Sequence, residues 1–490
     1  MKKQKSMKIE KWTTKDVVKC VAVYVGNLIV LAALFLMTVY LNGIGGFTES
    51  IEDYFADATT SIHFFVLLAI TIAVMAVYFL LEDRDFLKNP VNSEMLFLII
   101  EISFITGYIC GRYISIYLRP LALTALLTLF LTNRKSAIFM NSLYCILLFI
   151  MDVFASNATS LNQYSALIIG FSSGLVAIFV MDKVYSRMKL LCRSLIISVP
   201  MFFSVTMSLF QSGGNIAASL VSGLFSGPLA GALSILFLPF FESVFRKISC
   251  FKLAELTDHR SKLIRRMIKE APGTFNHAIV VSNIAEACAT AIGEDALLAR
   301  TCAYYHDIGK LRRPEFFGEN QVDGQNLHDD LTPELSTNII KAHVTDGYNL
   351  VMKHGLPKEI ADVCLEHHGT MPIWFFYAKA KKFTDGEVNI GEYCYEGPKP
   401  RTKIAAIIMI ADGCEAASRT LKDRSRENVQ KVVRKIVSER MALGQFDECE
   451  ITIKEINIII HTVVNNFTGI YHSRVDYPKV SLEGLDKDEG

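Results

Sequence analysis

The sequence predicts an all-α protein with two parts, a polytopic membrane helical bundle of about eight spans followed by a cytoplasmic all-helical domain. Residues 20–245 are dominated by apolar segments long enough to cross a hydrocarbon core of roughly 30 Å. From about residue 250 the apolar residues instead recur at helical spacing between polar loops. No alternating apolar run of useful length indicates a strand.

The composition agrees with a membrane protein and excludes some partners. About half of the 490 residues (51%) are hydrophobic and 20% are charged, which is rich in apolar residues for a soluble protein. The formal net charge of +1 provides no global basic field, so we expect no nucleic-acid polymer as partner. The eleven cysteines include no C-x-x-C pair, and we interpret them as reduced and buried rather than as a disulfide or zinc framework.

The membrane part begins after a basic N-terminus (1–19). A first transmembrane anchor (20–42) precedes a short extracellular loop (43–61), and a seven-span bundle follows (62–245). The fourth segment of the whole series is short and begins near Pro120. The eight apolar segments are 20–42, 62–82, 94–111, 115–132, 137–154, 163–181, 194–211 and 215–243.

Lysines and arginines predict the orientation of these spans. The N-terminus is rich in lysine, whereas the connections 43–61, 155–162 and 212–214 contain no basic residue. Basic residues on cytoplasmic loops are the usual signal of orientation, so both termini are predicted to be cytoplasmic in a multi-pass protein of the cell membrane. Only Arg112 and Arg119 break the pattern. The basic residues of the alternate connections are Arg84, Lys88, Arg134, Lys135, Lys183, Arg187, Lys189 and Arg193.

The soluble part (250–480, before a polar tail at 481–490) contains five segments with helical periodicity. The first has Thr274 as its candidate N-cap, and the fourth is predicted to stop at Gly369. The fifth is almost wholly apolar before Asp412, which is predicted to close a buried central helix. The five segments are 271–293, 295–311, 332–355, 357–369 and 402–419.

Histidines and aspartates fall on the inward faces of these helices. His277 shares a stripe with Val281 and Ile284, and His306 and Asp307 lie about 100° apart around one helix. Buried without partners, such groups would each cost several kcal/mol of desolvation, so metal ligation explains them better than core packing does. The candidate ligands are His277, His306, Asp307, His343, His367, His368 and Asp412.

Seven nitrogen and oxygen ligands exceed what one tetrahedral ion accepts, so we expect two divalent ions, with Asp307 as the bridge. Two ions roughly 3.5–4 Å apart can activate a hydroxide and stabilise both oxygens of an in-line phosphoryl displacement. The absence of thiolates favours manganese or iron over structural zinc. Lys310 is placed to neutralise a non-bridging phosphate oxygen; the alternative is a solvated lysine at a helix end.

These residues carry a family resemblance. The set of His277, His306-Asp307 and Asp412 resembles the HD phosphohydrolase superfamily. With His343 and His367-His368, and with "APGTFNHA", "YEGPKPRTKIAAIIMIADGCEAASR" and "GQFDECEITIKEI", the chain from about residue 62 to its end resembles the seven-transmembrane HD-domain phosphodiesterases that hydrolyse cyclic di-AMP. The resemblance implies a dinuclear iron or manganese site with the seven ligands above, and linearisation of cyclic di-AMP to pApA.

Three departures and open points accompany the resemblance. The family usually has a large extracellular domain where this chain has only residues 43–61, so we expect no sensing by such a domain. Asn276 replaces the first of the family's usual pair of histidines at the first ligand position, which concerns the surroundings of the ligand His277. Relatives that cut cyclic di-GMP have a Gly-Tyr-Pro motif, whereas "HHGTMPIWFFYAKAKK" stands here, so cyclic di-AMP is the expected substrate.

Some residues near the site keep two interpretations. The aromatics at 374–377 could stack on adenine or pack against the bundle or membrane surface. Residues 312–330 are a plausible lid, in which His328 is expected to be exposed, and His472 is expected to lie outside the ligand set.

Two rival functions remain: a one-metal HD nucleotidase or phosphatase, and a non-catalytic nucleotide-binding membrane receptor. A homo-oligomer is compatible with each.

Overall fold

The computed structural model describes residues 13–42, 58–155, 160–182, 184–212, 216–321, 326–383, 387–419, 421, 423 and 425–470. These residues form helices and loops without a strand, apart from one isolated bridge between Pro372 and Cys394, as the sequence predicts. The chain divides into two compact units, Met1–Lys252 and Leu253–Gly490. Most of the basic N-terminus and of the 43–61 loop, part of the 312–330 segment, and all of His472 and the 481–490 tail lie outside the described residues.

The first unit is a bundle of apolar helices around its own hydrophobic core. Its longest members are built from runs of Leu, Ile, Val and Phe, which expose apolar side chains on their outer faces as well as burying them. The helices are α1 (Thr14–Asn42), α2 (Ala58–Glu82), α3 (Arg84–Lys88), α4 (Pro90–Tyr113), α5 (Leu123–Leu131), α6 (Arg134–Ala155), α7 (Ser160–Val180), α8 (Arg187–Ile197), α9 (Val199–Ser212) and α10 (Ile216–Phe245).

Six helical segments in the described part of the chain are long and apolar enough to cross a membrane, and two further apolar helices are shorter. The predicted number of about eight spans is therefore approximate. The fourth predicted segment, 115–132, is a 3₁₀ turn followed by the nine-residue α5, because Pro120 lacks a backbone donor and disfavours helix before it. The six segments are Thr14–Leu41, Ser61–Glu82, Pro90–Tyr113, Arg134–Phe154, Arg187–Thr206 and Ala217–Phe245.

One exception to the charge pattern has a structural explanation. Arg119 is largely buried, with 12% of its side chain exposed, and its guanidinium donates to both carboxylate oxygens of Asp152 on α6, at 2.5 and 3.1 Å. An arginine paired in this way with a carboxylate of the bundle carries little information about loop orientation. Glu101 on α4 is also buried, with 9% of its surface exposed, so it faces other helices of the bundle rather than lipid.

The second unit packs its helices around a separate core, with α18 at its centre. Residues from Ala405 to Ala411 on α18 are fully buried, as predicted. The helices are α11 (Cys250–Leu256), α12 (Lys262–Glu270), α13 (Pro272–Ile292), α14 (Ala296–Tyr305), α15 (Pro333–Lys353), α16 (Lys358–Glu366), α17 (Trp374–Phe383), α18 (Lys403–Arg419), α19 (Arg426–Ala442) and α20 (Ile453–Ile470).

Three predicted helix ends are wrong. Thr274 is not an N-cap, because α13 already begins at Pro272, and proline is well suited to the first helical position. Asp412 does not close the central helix, which continues to Arg419 and buries Cys414 and Ser418 on the same side. Helix α16, which corresponds to the fourth predicted segment, ends at Glu366 rather than Gly369.

The segment 295–311 was predicted as one helix, but it is not continuous. The α-helix ends at Tyr305 and a 3₁₀ turn follows at Ile308–Arg312. Gly309 lies against α15 so closely that a Cβ atom there would be 1.9 Å from the carbonyl oxygen of His343 and 2.5 Å from the amide nitrogen of Gly347. This contact needs a glycine, and it holds the turn against the helix that carries His343.

Candidate metal centre

The structure brings all seven predicted ligands together. His277 comes from α13, His306 and Asp307 from the end of α14, and His343 from α15; His367 and His368 follow α16, and Asp412 lies on α18. The ligand atoms form two overlapping groups, in each of which the atoms lie within 4.8 Å of one another. One group consists of Asp307, His343, His367 and His368, and the other of His277, His306 and Asp307.

Asp307 belongs to both groups through its two oxygens. Its Oδ1 atom lies 3.3 Å from Nε2 of His343 and 3.6 Å from Nε2 of His367. Its Oδ2 atom lies 3.3 Å from Nε2 of His306 and 3.5 Å from Nε2 of His277. Each oxygen therefore faces a different pair of imidazoles, which is the arrangement that a carboxylate between two cations requires.

Asp412, which lies much later in the chain than Asp307, also contacts both groups. Its Oδ1 atom is 3.1 Å from Nε2 of His277, and its Oδ2 atom is 3.7 Å from Nδ1 of His368. The position of Asp412 in the middle of the buried helix α18 places it there, so the central helix contributes a ligand candidate from its interior and not from its end.

Backbone carbonyls orient three of the histidines. The Nδ1 atoms of His306, His343 and His367 lie 2.7, 2.6 and 3.0 Å from the carbonyl oxygens of the residues three positions earlier in the chain. A carbonyl can only accept, so Nδ1 carries the proton and the Nε2 lone pair is left for the centre. Such outer hydrogen bonds are the usual way in which proteins orient histidine ligands.

These orientations leave acceptors facing acceptors, which tests whether metal ions fit. The Nε2 atoms of His343 and His367 are 3.3 Å apart, and both are lone-pair atoms once Nδ1 carries the proton. Nε2 of His306 and Oδ1 of Asp307 are buried without a hydrogen-bond partner. Buried acceptors of this kind need a cation or a proton between them, and a set of imidazoles and carboxylates suits first-row divalent metal ions.

The electrostatics of the centre favour ionised carboxylates and neutral imidazoles at His367 and His368, but not at His277. Burial lowers the pKa of His367 and of His368, so both are uncharged at neutral pH. Burial alone would raise the pKa of Asp307, but Lys310 and His306 hold that pKa well below its usual range. For His277, burial opposes protonation, whereas hydrogen bonds with Asp412 and Glu415 raise its pKa to about 10 in the absence of metal.

Lys310 is a buried residue of the centre. Its Nζ atom lies 2.7 Å from Oδ2 of Asp307 and 2.8 Å from Oε1 of Glu319, with 13% of the side chain exposed. The alternative of a solvated lysine at a helix end is therefore wrong, because the 3₁₀ turn after Asp307 points this side chain inward. Its predicted contact with a phosphate oxygen stays a prediction.

Glu319 and Asn320 of the predicted lid are held against α13. Asn320 accepts a hydrogen bond from the backbone of Thr274 at 3.1 Å and donates to its hydroxyl at 2.9 Å. A Cβ atom on Gly273 would be 1.8 Å from the carbonyl oxygen of Glu319, so this close approach needs glycine. The segment thereby places Glu319 beside Lys310.

His328 and the aromatic residues 374–377 lie outside both ligand groups. His328 was expected to be exposed, but it is 5% exposed, and its Nε2 atom lies 2.9 Å from the carbonyl oxygen of Phe316. Its ring also contacts Phe376, the buried member of the aromatic run. Trp374 is exposed and donates to Glu439, so stacking on adenine stays a prediction.

Sequence reasoning missed the residues that support the ligands. Glu415 accepts from Nδ1 of His277 at 2.6 Å and is itself held by Arg419 at 2.7 Å. A signal for it exists, because Glu415 follows Asp412 by three residues and so lies on the same helical face. Glu319 and Tyr395 come from loops, where spacing along the chain gives no indication of which side chains meet.

We expect Glu415→Gln to lower metal affinity by about 10- to 100-fold, because Nδ1 of His277 loses a charged acceptor that fixes its ring and raises its basicity. Competition with a chromophoric chelator measures this affinity. The matched control is Glu439→Gln, an exposed change at a residue that bonds only Trp374 among the described side chains. Equal affinities in the two variants would contradict the assigned role of Glu415.

Comparisons with known families agree with both parts of the chain. Residues 58–249 match the family described as a 7TM receptor with intracellular HD hydrolase, and residues 274–417 match the HD domain. The chain belongs to the seven-transmembrane HD family. It is thus a multi-pass membrane protein, and its HD domain with the histidine and aspartate cluster indicates the use of divalent metal ions.

Two curated relatives of this seven-transmembrane HD protein are both named cyclic-di-AMP phosphodiesterase PgpH. The relative from Bacillus subtilis (strain 168) is 36% identical over 428 residues, which is 85% of this chain and 60% of the relative. The relative from Listeria monocytogenes serotype 1/2a (strain 10403S) is 36% identical over 368 residues, 74% of this chain and 50% of the relative. The chain therefore spans between half and three fifths of the length of these relatives.

The solved structures that resemble this chain include the crystal structure of the L. monocytogenes phosphodiesterase PgpH HD domain in complex with cyclic-di-AMP. That chain is 43% identical, with a TM-score of 0.43, and the match covers 44% of this chain and 100% of the solved one. A second crystal structure of the same HD domain matches at 44% identity with a TM-score of 0.42.

Proposed function

We propose that this protein is a membrane-anchored, metal-dependent phosphodiesterase that hydrolyses cyclic di-AMP to pApA. The observation that carries the proposal is the position of Asp307, whose two oxygens face two different groups of histidines. The names of the two curated relatives support the substrate. The same geometry disfavours a one-metal nucleotidase, for which a second group of imidazoles has no use.

Two manganese or iron ions, held by the seven candidate ligands, would supply the activated water and the charge that phosphoryl transfer needs. The protein's own residues orient and complement this site. Lys310 has three ammonium protons, of which Asp307 and Glu319 accept two, so the third is available to a phosphate oxygen. Glu319 keeps that ammonium group in place, because the segment that carries it is fixed to Thr274.

Substrate choice must come from the walls of the site, because metal ligands contact phosphate and not the base. A pocket that leaves a buried polar group unpaired against the wrong base rejects it by several powers of ten. We therefore expect kcat/KM for cyclic di-AMP to exceed that for cyclic di-GMP by about 1,000-fold or more. The full chain is loaded with manganese in detergent or nanodiscs, and kcat/KM for each substrate is measured by chromatography of the products.

The panel for this experiment includes cyclic di-GMP, pApA, a phosphomonoester and ATP. Comparable kcat/KM values for the two cyclic dinucleotides would remove the adenine preference but leave a phosphodiesterase. Hydrolysis restricted to the monoester or ATP, with one ion per chain, would favour the nucleotidase. Binding of cyclic di-AMP without turnover at saturating metal would favour a receptor.

We also propose that both termini lie in the cytoplasm, where a cyclic dinucleotide messenger would be met. The distribution of lysine and arginine among the connections supports this orientation. A reporter fused after Gly490 should be cytoplasmic, and one inserted near residue 52 should be extracellular. A C-terminal reporter on the outside would contradict the proposed access to substrate.

A further inference from the structure

Tyr395 lies against the candidate metal centre in a loop before the central helix α18. Its ring stacks on the ring of His368, with centroids 4.3 Å apart and an interplanar angle of 23°. The same ring makes a T-shaped contact with the ring of His343, with centroids 6.1 Å apart and an interplanar angle of 87°. Both histidines belong to the group on the Oδ1 side of Asp307, so the tyrosine covers one half of the centre.

The backbone fixes the position of this ring. The amide of Tyr395 donates to the carbonyl oxygen of Met371 at 3.1 Å, and the preceding residue forms the isolated bridge with Pro372. Met371 itself lies only three residues after His368, and its amide donates to the carbonyl oxygen of that histidine at 3.0 Å. Tyr395 is thus tied to the chain segment that presents His367 and His368.

The hydroxyl group of Tyr395 makes no hydrogen bond with any residue that the structure describes. Tyr395 is partly exposed, whereas the buried Tyr305 and Tyr393 each have a partner in the protein: Tyr305 donates to the carbonyl oxygen of Leu256 at 2.8 Å, and Tyr393 donates to Glu334 at 2.5 Å. A partly exposed hydroxyl without a protein partner is available to a bound ligand. Burial raises the pKa of Tyr395, and the carboxylates of Asp307 and Asp412 raise it further while Lys310 lowers it, so the phenol is protonated at neutral pH.

We propose that Tyr395 is a further catalytic residue, whose hydroxyl donates a hydrogen bond to a non-bridging oxygen of the phosphodiester. A phenol is neutral and protonated at neutral pH, so it can donate to an anionic oxygen without competing for the cations. Stacking on the ring of His368 holds the donor beside the group of candidate ligands on the Oδ1 side of Asp307. This inference rests on the proposed function and adds a substrate contact to it.

The test is Tyr395→Phe, which keeps the stacked ring and removes only the hydroxyl. For cyclic di-AMP we expect kcat/KM to fall about 10- to 100-fold, the range for a hydrogen bond to a charged group. Metal content by elemental analysis should be unchanged. The dissociation constant for the product pApA, measured by calorimetry, should rise because its terminal phosphate loses the same donor.

The matched control is Tyr348→Phe on α15, a tyrosine that belongs to neither group of candidate ligands. It should behave as the wild type. A second substrate, bis(p-nitrophenyl) phosphate, separates the inference from the proposed function. If the wild type cleaves this diester but not cyclic di-AMP, the proposed function fails, while a slower Tyr395→Phe variant would still support the hydrogen bond.

Two results would overturn the inference. One is a Tyr395→Phe variant equal to the wild type on both substrates. The other is a loss restricted to cyclic di-AMP, since the hydroxyl would then contact the nucleoside and not the phosphate. If neither substrate is cleaved, calorimetry with inorganic phosphate decides: equal affinities in wild type and variant would overturn the proposal, and weaker binding in the variant would support it.

Discussion

Asp307→Ala is expected to abolish hydrolysis of cyclic di-AMP, with kcat lower by about 1,000-fold or more. Asp307 is the one described residue that belongs to both groups of candidate ligands. Its loss removes one ligand from each group at once and leaves Lys310 with Glu319 as its only described carboxylate partner. We therefore expect metal content, measured by elemental analysis, to fall together with activity.

The matched control for Asp307→Ala is Asp362→Ala. Asp362 pairs with Lys358 at 2.8 Å on the surface of α16, four residues apart in the chain. An exposed pair of this kind contributes little to stability, so activity and metal content should stay at wild-type values. Full metal content and activity in Asp307→Ala would refute its role as the shared ligand.

Gly309→Ala is expected to have the second largest effect, through the backbone. The added methyl group would meet the carbonyl oxygen of His343 at 1.9 Å, far inside van der Waals contact. Neither atom belongs to a flexible side chain, so the 3₁₀ turn must separate from α15. We expect the free energy of unfolding to fall by about 3 kcal/mol or more, with loss of activity, because Asp307 and Lys310 flank the displaced residue.

Gly318→Ala supplies a control in the neighbouring segment. A Cβ atom on Gly318 would have no heavy atom within 4 Å, so this variant should unfold at the wild-type temperature. Thermal unfolding of the full chain in detergent, followed by circular dichroism, measures both variants. Equal stability of Gly309→Ala and Gly318→Ala would show that α15 and the turn can separate without cost.

The candidate ligands could be predicted from the sequence because they combine metal-binding side chains with the helical spacing of buried positions. His277 repeats the stripe of Val281 and Ile284, and the structure buries all three. The helix class of the second unit was predictable for the same reason, since periodic apolar residues report which face is buried. Asp412 was placed in the right helix but at the wrong point of it, because an acidic residue after an apolar run resembles a helix end.

What the sequence did not indicate depends on contacts between distant segments. The break after Tyr305 exists because Gly309 packs on the backbone of α15, and no local propensity records that contact. His328 belongs to a loop of polar composition, which predicts exposure. It is nevertheless buried, with a hydrogen bond to a backbone carbonyl. Tyr395 meets His368 across 27 residues of chain, and only the folded loop reveals it.

The shared carboxylate of Asp307 has a consequence for stoichiometry. A first divalent ion would neutralise the negative charge of Asp307, which also attracts the second ion. In addition, two like charges a few ångströms apart repel each other strongly in a buried site. Uptake should therefore show negative cooperativity, with one ion held more tightly than the other. Protein purified in the presence of a chelator would retain a single ion and resemble a mononuclear enzyme, so occupancy must be measured by titration to saturation.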